Sequence, residues 1–306
     1  MRRILPGFRG VTKAILLALL AYAVWAWGDG FTKSLGGELP VFEIVFFISS
    51  FSALTIILTR PREERWRDFW RMERPWVIQV RAAAGVISGF CGVYAFTTIP
   101  LAEAYALIFL APLFITVLSV VVLRESVGPW RWAAVVAGFA GVLLVVRPGF
   151  RELHLGHLGG LTVASMFAIS QILLRSLASR ERYTAMFGTR FLYNITAYGI
   201  VAFAAGFVVP DLSQLARLAT IGICSASGQI ILLRVARFAP ANVVAPMHYS
   251  QIGWAVLIGA VFFDEVPDGL AFVGLAVLAG AGLLTLLREK VRLGTVQWNP
   301  FIRNRV

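Results

Sequence analysis

This 306-residue chain is poor in charge, histidine and cysteine: 14% of its residues are charged, three are histidine and two are cysteine. A soluble domain carries about 25% charged residues, so a water-filled surface of ordinary composition is excluded. Cys91 and Cys224 both fall within apolar runs. Their spacing excludes a disulfide framework and a cysteine metal site, and predicts two buried structural thiols. No HExxH, GxSxG or phosphate-binding loop occurs, which leaves hydrolase and nucleotide-driven chemistry without their usual groups. The reading is therefore not an enzyme, with no cofactor and no resident metal. His154 and His157, in LHLGHLGG, are spaced for one metal ion or for a plain polar loop.

Acids are scarcer than bases, 16 against 28, for a net charge of +12 and a pI of about 10.6. Lys and Arg separate the apolar runs rather than gathering on one amphipathic surface, so no nucleic-acid partner is expected. The stretch RPREERWRDFWRMERP, residues 60–75, carries four acids among its bases and reads as a solvated loop.

What is abundant is apolar. Hydrophobic residues make up 58% and the mean hydropathy is +0.78. About 20 apolar residues span a bilayer as a helix. Ten such runs occur, at 13–35, 41–59, 76–97, 100–123, 129–147, 157–178, 184–207, 214–236, 241–263 and 268–288. The first resembles a secretory signal around Ala21-Tyr22-Ala23, but it continues through Trp27 and reads as a retained span. Pro40, Pro75, Pro100, Pro129, Pro240 and Pro267 stand at span starts, where a missing N–H costs nothing. With the N-terminus inside, inner segments carry 22 Lys and Arg and outer ones four, and Arg81 and Arg190 lie within spans. That bias predicts both termini in the cytoplasm.

The landmarks repeat. Pro100 and Glu125 bracket the fourth span, and Pro240 and Glu265 the ninth, 140 residues later. Five spans per copy is odd, so the copies enter the membrane from opposite sides, a build suited to alternating access. The expected organisation is a first repeat at 1–150, a second at 151–290 and a cytoplasmic tail at 291–306.

YAFTTIPLAEAYALIFLAPLF (94–114), LRESVGPWRWAAVVAGFAGVLLVVRPG (123–149) and RFAPANVVAPMHYSQIGWAVLIGAVFFDEVP (237–267) resemble the EamA-type drug/metabolite transporters. The resemblance covers nearly the whole chain. It implies an all-α membrane protein with ten helices around a central cavity, in a bacterial inner membrane. It also implies transport of a small organic solute: export of an amino acid or related metabolite, or uptake of a nucleotide-like one such as S-adenosylmethionine. Aromatic amino acid exporters and S-adenosylmethionine carriers are similar in layout. Many members carry an arginine where VFEIVFFISS has Ile48, so no role of that arginine carries over. A scaffold without transport is the reading from another class. The expected partners are a small solute and the lipid bilayer, and the expected unit is a monomer.

Polar groups at membrane depth are the candidate site, because each costs several kcal/mol unless it serves a cavity or a partner. Trp25 and Asp29 share a face of the first span, where Asp29 reads either as a cavity acid or as a partner of Lys33 at i+4. Glu43 reads as a first-turn acid suited to the helix N-terminus, or with Asp29 and His248 as a proton-coupling candidate. Arg81 reads as snorkelling to the cytoplasmic face. Arg190 reads as a carboxylate or gating ligand, or as a structural pair or a snorkelling arginine, and Gln171 as interhelical glue or cavity lining. In FAPANVVAPMHYSQIGW, Asn242, His248, Tyr249 and Gln251 lie on adjoining stripes, with a bend expected at Pro246. Tyr105 and Phe109 face them from the fourth span. The expected solute site is Trp25, Tyr105, Phe109, Gln171, Arg190, Asn242, His248, Tyr249 and Gln251.

Overall fold

The computed structural model of the protein describes residues 8–59, 72–123, 128–147, 152–177, 183–238 and 245–295, and every regular element among them is helical. In chain order these are α1 (Phe8–Ser34), α2 (Val41–Thr59), α3 (Pro75–Thr98), α4 (Leu101–Ile108), α5 (Ala111–Leu123) and α6 (Pro129–Val146). Then follow α7 (Leu155–Leu177), α8 (Tyr183–Ala204), α9 (Leu212–Phe238), a 3-10 turn (Ala245–Tyr249), α10 (Ser250–Phe263) and α11 (Gly269–Thr295). Among the described residues, six helical segments are long and apolar enough to cross a membrane, and three shorter apolar ones accompany them.

Large apolar side chains cover the outside. Leu212, Trp76, Val209 and Leu58 are 75–83% exposed, a surface that needs lipid as its solvent. The small residues point inward. Ala14, Ala18 and Ala21 are fully buried along one face of α1, which packs on α9. Where lipid is as apolar as the helix, close approach of backbones replaces the hydrophobic effect as the source of cohesion. The clearest case is α6 against α11. A β-carbon at Gly141 would lie 2.7 Å from the Gly274 carbonyl oxygen, and one at Gly274 would lie 2.6 Å from that of Gly141.

Around these contacts α3 packs on α7, α2 on both α8 and α9, α8 on α3, α4 and α5 on α7, and α10 on α1 and α4. The links 35–40, 99–100, 205–211 and 264–268, with residues 147 and 152–154, lie at one end of the bundle, where side chains tie them together. Lys33 Nζ lies 2.8 Å from Glu265 Oε1 and 2.9 Å from the Ile99 carbonyl. Arg217 holds Glu38 and the Ser34 carbonyl, Arg147 pairs with Asp268, and His157 Nε2 lies 3.0 Å from Glu103 Oε2. We call this the latched end.

Two expected spans are not continuous helices. The run 100–123 breaks at Phe109–Leu110. Pro112 has no N–H for the Ile108 carbonyl, the Leu110 N–H turns back to Leu107 O at 3.1 Å, and the helix restarts at Ala111. The run 241–263 begins, where it is described, as a 3-10 turn through Pro246 and becomes α-helical only at Ser250. The bend expected at Pro246 is thus a change of helix type across 249–250. Pro240, Asn242 and Glu125 lie outside the described residues. Cys91 and Cys224 are half-buried rather than fully buried.

Candidate functional site

A cavity of about 410 Å³ occupies the middle of the bundle, between α1, α2, α3, α4, α7, α8, α9 and the start of α10. Its wall runs from Thr32 and Val45 near the latched end to Ile56 and Gln229 toward the opposite end. Asp29 on α1 accepts a hydrogen bond from the Tyr105 hydroxyl on α4. The Gln251 amide on α10 donates to the same hydroxyl oxygen at 3.3 Å. Three elements distant in sequence therefore meet at one phenol, with Tyr105 and Gln251 almost fully buried. Lys33 is committed to Glu265 and Ile99, so the i+4 pair Asp29–Lys33 does not form.

Trp25 lines the cavity from α1. Its indole lies where a side chain at Gly228 would be, and its N–H donates to the Ser225 carbonyl at 3.0 Å. His248 lines the cavity and stacks on Tyr22 at 4.9 Å between ring centres, with Phe109 at 4.6 Å on another side. Arg190 lines it from α8 beside Phe191 and Asn194. Asn194 donates to Ser49 Oγ on α2 at 3.3 Å rather than serving Arg190.

Other expected site residues lie elsewhere. Phe109 and Tyr249 stack on each other at 5.0 Å and face a second, apolar pocket of about 180 Å³ beside α5, α6 and α11. There the Tyr249 hydroxyl occupies the space that Gly282 leaves without a side chain. Gln171 lines neither cavity. Glu43 is fully buried and accepts the Val208 N–H at 3.0 Å through Oε1, an anchor near the latched end rather than part of the cavity wall. His157 binds Glu103, and no cluster of three or more metal-ligating side chains exists among the described residues. Arg81 does not simply run out to the surface: its Nε donates to Ser170 Oγ on α7 at 3.1 Å.

The residues missed from the sequence are small and hydroxylated. Ser49 and Ser52 line the cavity with Val45 and Ile56, at i, i+4, i+7 and i+11 spacing on one face of α2. Ser88, Gly92 and Phe96 do the same on α3 at every fourth residue. That periodicity was readable, but serine is common enough in membrane helices to pass as packing.

The cavity thus offers aromatic faces, a carboxylate held by a phenol, hydroxyl and amide groups, and an arginine. Such a wall can bind and orient an amphipathic solute. Residues 12–147 match the EamA-like transporter family. The chain is 30% identical over 279 residues to a pseudopaline exporter, CntI, of Pseudomonas aeruginosa, covering 90% of this chain and 96% of that protein. It is 30% identical over 227 residues to a riboflavin transporter of Rhizobium johnstonii, with 74% and 72% covered. An S-adenosylmethionine uptake transporter of Rickettsia prowazekii is 24% identical over 279 residues, with 90% and 92% covered. One crystal structure superposes with a TM-score of 0.62 over 92% of this chain and 98% of its own, at 18% identity, and shares the fold.

Proposed function

The chain belongs to the EamA-like transporter family as a multi-pass membrane protein, and we propose that it moves a small organic solute through the central cavity by alternating access. The observation that carries this reading is the cavity itself. It lies between halves whose helix pairings interchange when the halves are swapped. Swapping maps α1–α9 onto α7–α3, α2–α9 onto α8–α3, and the contact of α10 with α1 onto that of α4 and α5 with α7, while α6–α11 maps onto itself. The interruptions also coincide. The breaks at 109–110 and 249–250 are 140 residues apart, the same offset as Pro100 to Pro240, and their aromatic residues stack on each other. This supports ten spans in two inverted repeats, 1–150 and 151–290, with 291–306 as a tail. Two copies with opposite orientation can exchange conformations and open the cavity to either side.

The positive-inside count puts both termini in the cytoplasm of a bacterial inner membrane and the latched end outside. The ties at 33–38, 99–103, 147, 157, 217 and 265–268 stand between the cavity and that side. This conformation is tied shut at that end, and we read the net movement, as in the pseudopaline exporter the chain resembles, as export of an amino acid or related metabolite. Trp25, Tyr105, Gln251, His248 and Arg190 form the binding set, with Asp29 as the coupling group. The cavity is complete within one chain, so a monomer suffices.

Counterflow in proteoliposomes tests the reading. Saturable flux of at least one solute from a panel of amino acids and metabolites is expected, reduced about tenfold or more in Tyr105→Phe by loss of a buried hydrogen bond to a charged group. A panel in which no solute crosses faster than in protein-free vesicles overturns it.

A further inference from the structure

At the end of the cavity away from the latch, a recess of about 50 Å³ opens between α3, α7 and α8. It shares Ser88, Phe167 and Arg190 with the central cavity and adds Arg81, Gly85 and Ser170. Arg81, Ser170 and Arg190 each lie six or seven residues from the far ends of their helices, about 10 Å in at 1.5 Å per residue. Two arginines therefore line one small recess inside the bundle.

What they lack is an acid. Among the described residues, no carboxylate pairs with Arg81 or Arg190, whereas Lys33, Arg147 and Arg217 each have one. Arg81 reaches only a serine hydroxyl. Arg190 is exposed and lines the cavity space. The stem of Arg190 lies against α3 at Gly85, where a β-carbon would come within 3.4 Å of Nε. The small residues Ala82, Ala84 and Gly85 thus make room for it.

An arginine at membrane depth is costly, and a second like charge beside it adds to the cost. Two such cations without a counter-acid are complemented by an anion. Arginine forks match the planar geometry of a carboxylate, and the Ser170 and Ser88 hydroxyls add neutral donors. The recess has room for such a group but not for the rest of a solute, which must extend into the aromatic part of the cavity.

We propose that Arg81 and Arg190 form an anion-binding subsite that takes the carboxylate of the transported solute, so that the substrate class is an organic acid or a zwitterion with a free carboxylate. This rests on the transporter reading above. It goes beyond it by naming the solute group that is held, the residues that hold it and the end of the cavity at which it sits.

The test pairs acids with their amides, using the purified protein in neutral detergent at constant ionic strength. Tryptophan and tryptophanamide, indole-3-acetate and indole-3-acetamide, and succinate and succinamide are compared by shift in melting temperature, since ligand binding raises apparent stability. At least one acid should stabilise the protein where its amide does not. Arg81→Gln and Arg190→Gln should each weaken that acid's apparent affinity by roughly tenfold or more. Arg190→Lys, which retains the charge and controls for folding, should keep part of the affinity. Amides that match their acids, or an acid response untouched by either glutamine variant, overturn the subsite. So does a response to phosphatidylglycerol alone that disappears in both glutamine variants, which would make the recess a lipid headgroup site. Flux of neutral or cationic solutes only, with no acid bound, removes the subsite and leaves the transporter. Acid binding that needs both arginines, without flux of any solute, supports the subsite and removes the transporter.

Discussion

The two ends of the cavity treat charge in opposite ways. At the latched end every cation described here has an acid: Lys33 has Glu265, Arg147 has Asp268 and Arg217 has Glu38. At the other end, Arg81 and Arg190 share a recess with only hydroxyl groups to serve them. Paired charges stabilise a particular approach of chain segments, whereas unpaired like charges oppose it until something of opposite sign arrives. The contrast divides the molecule into a part whose electrostatics are complete and a part whose electrostatics await a ligand.

Removing one partner at the latched end should have the largest effect. Glu265 does two tasks: Oε1 meets Lys33 at 2.8 Å, and Oε2 accepts the Leu101 N–H at 3.1 Å. The second bond caps α4, which has no side-chain cap of its own. Lys33 is mostly buried, and Phe263 lies 5.4 Å from its ammonium. Glu265→Ala leaves that ammonium with only the Ile99 carbonyl and takes the acceptor from the Leu101 N–H. A loss of about 3 kcal/mol is expected, the scale for breaking a buried ion pair. Lys33→Met combined with Glu265→Gln should lose less than the sum of the single variants, as read by thermal unfolding in detergent. An additive double variant would mean that the pair is not a unit.

The recess should respond with the opposite sign. In Arg81→Gln the repulsion with Arg190 disappears while Ser170 keeps a partner, so the ligand-free protein should be unchanged or more stable, by up to about 1 kcal/mol. The same thermal assay, without solute, checks it. Destabilisation comparable to that of Glu265→Ala would erase the distinction between the two ends.

How much of this could be read in the sequence follows from the same distinction. Span limits were legible because lipid demands long apolar runs: 41–59 coincides with α2, and 129–147 ends within a residue of α6. The offset of 140 was legible in Pro100 and Pro240 and returns in the breaks at 109–110 and 249–250. Partner choice was not legible. Asp29 had Lys33 four residues away, yet its bond comes from Tyr105, 76 residues on, while Lys33 turns to Glu265. Side-chain direction was lost as well. Tyr249 shared an expected face with His248 and Gln251, but the 3-10 turn ending at Tyr249 sends its ring to the neighbouring pocket. A hundred-degree step per residue holds only while the helix stays α. Arg81 read as snorkelling because the sequence cannot show that Ser170 lies across from it.

A smaller effect belongs to the backbone of the latched end. Asp264 closes α10 in the left-handed region, at φ 55°, with its N–H on the Gly259 carbonyl. A residue with a β-carbon pays about 1 kcal/mol there, which glycine does not. Asp264→Gly should therefore raise stability by about that amount in the same unfolding assay, without altering Lys33–Glu265. A loss instead would show that the Asp264 side chain contributes to the latch.

The smallest effect sharpens the contrast through pH. Arg217 grips Glu38 with two hydrogen bonds, Nη1–Oε1 at 2.9 Å and Nη2–Oε2 at 2.5 Å, and holds the carboxyl below the usual carboxylate range. The group is partly exposed, so solvent screens the pair and the contribution is modest. Because the folded pKa is lowered, this stabilisation is fully present above the ordinary glutamate pKa and disappears as pH falls through the lowered value. Melting temperature measured from neutral to acid pH should therefore fall more steeply in the wild type than in Glu38→Gln. High salt should narrow the gap between them. An identical acid limb in both proteins would make Glu38–Arg217 a surface contact that the fold tolerates and leave the strength of the latched end to its other ties, Lys33–Glu265 foremost.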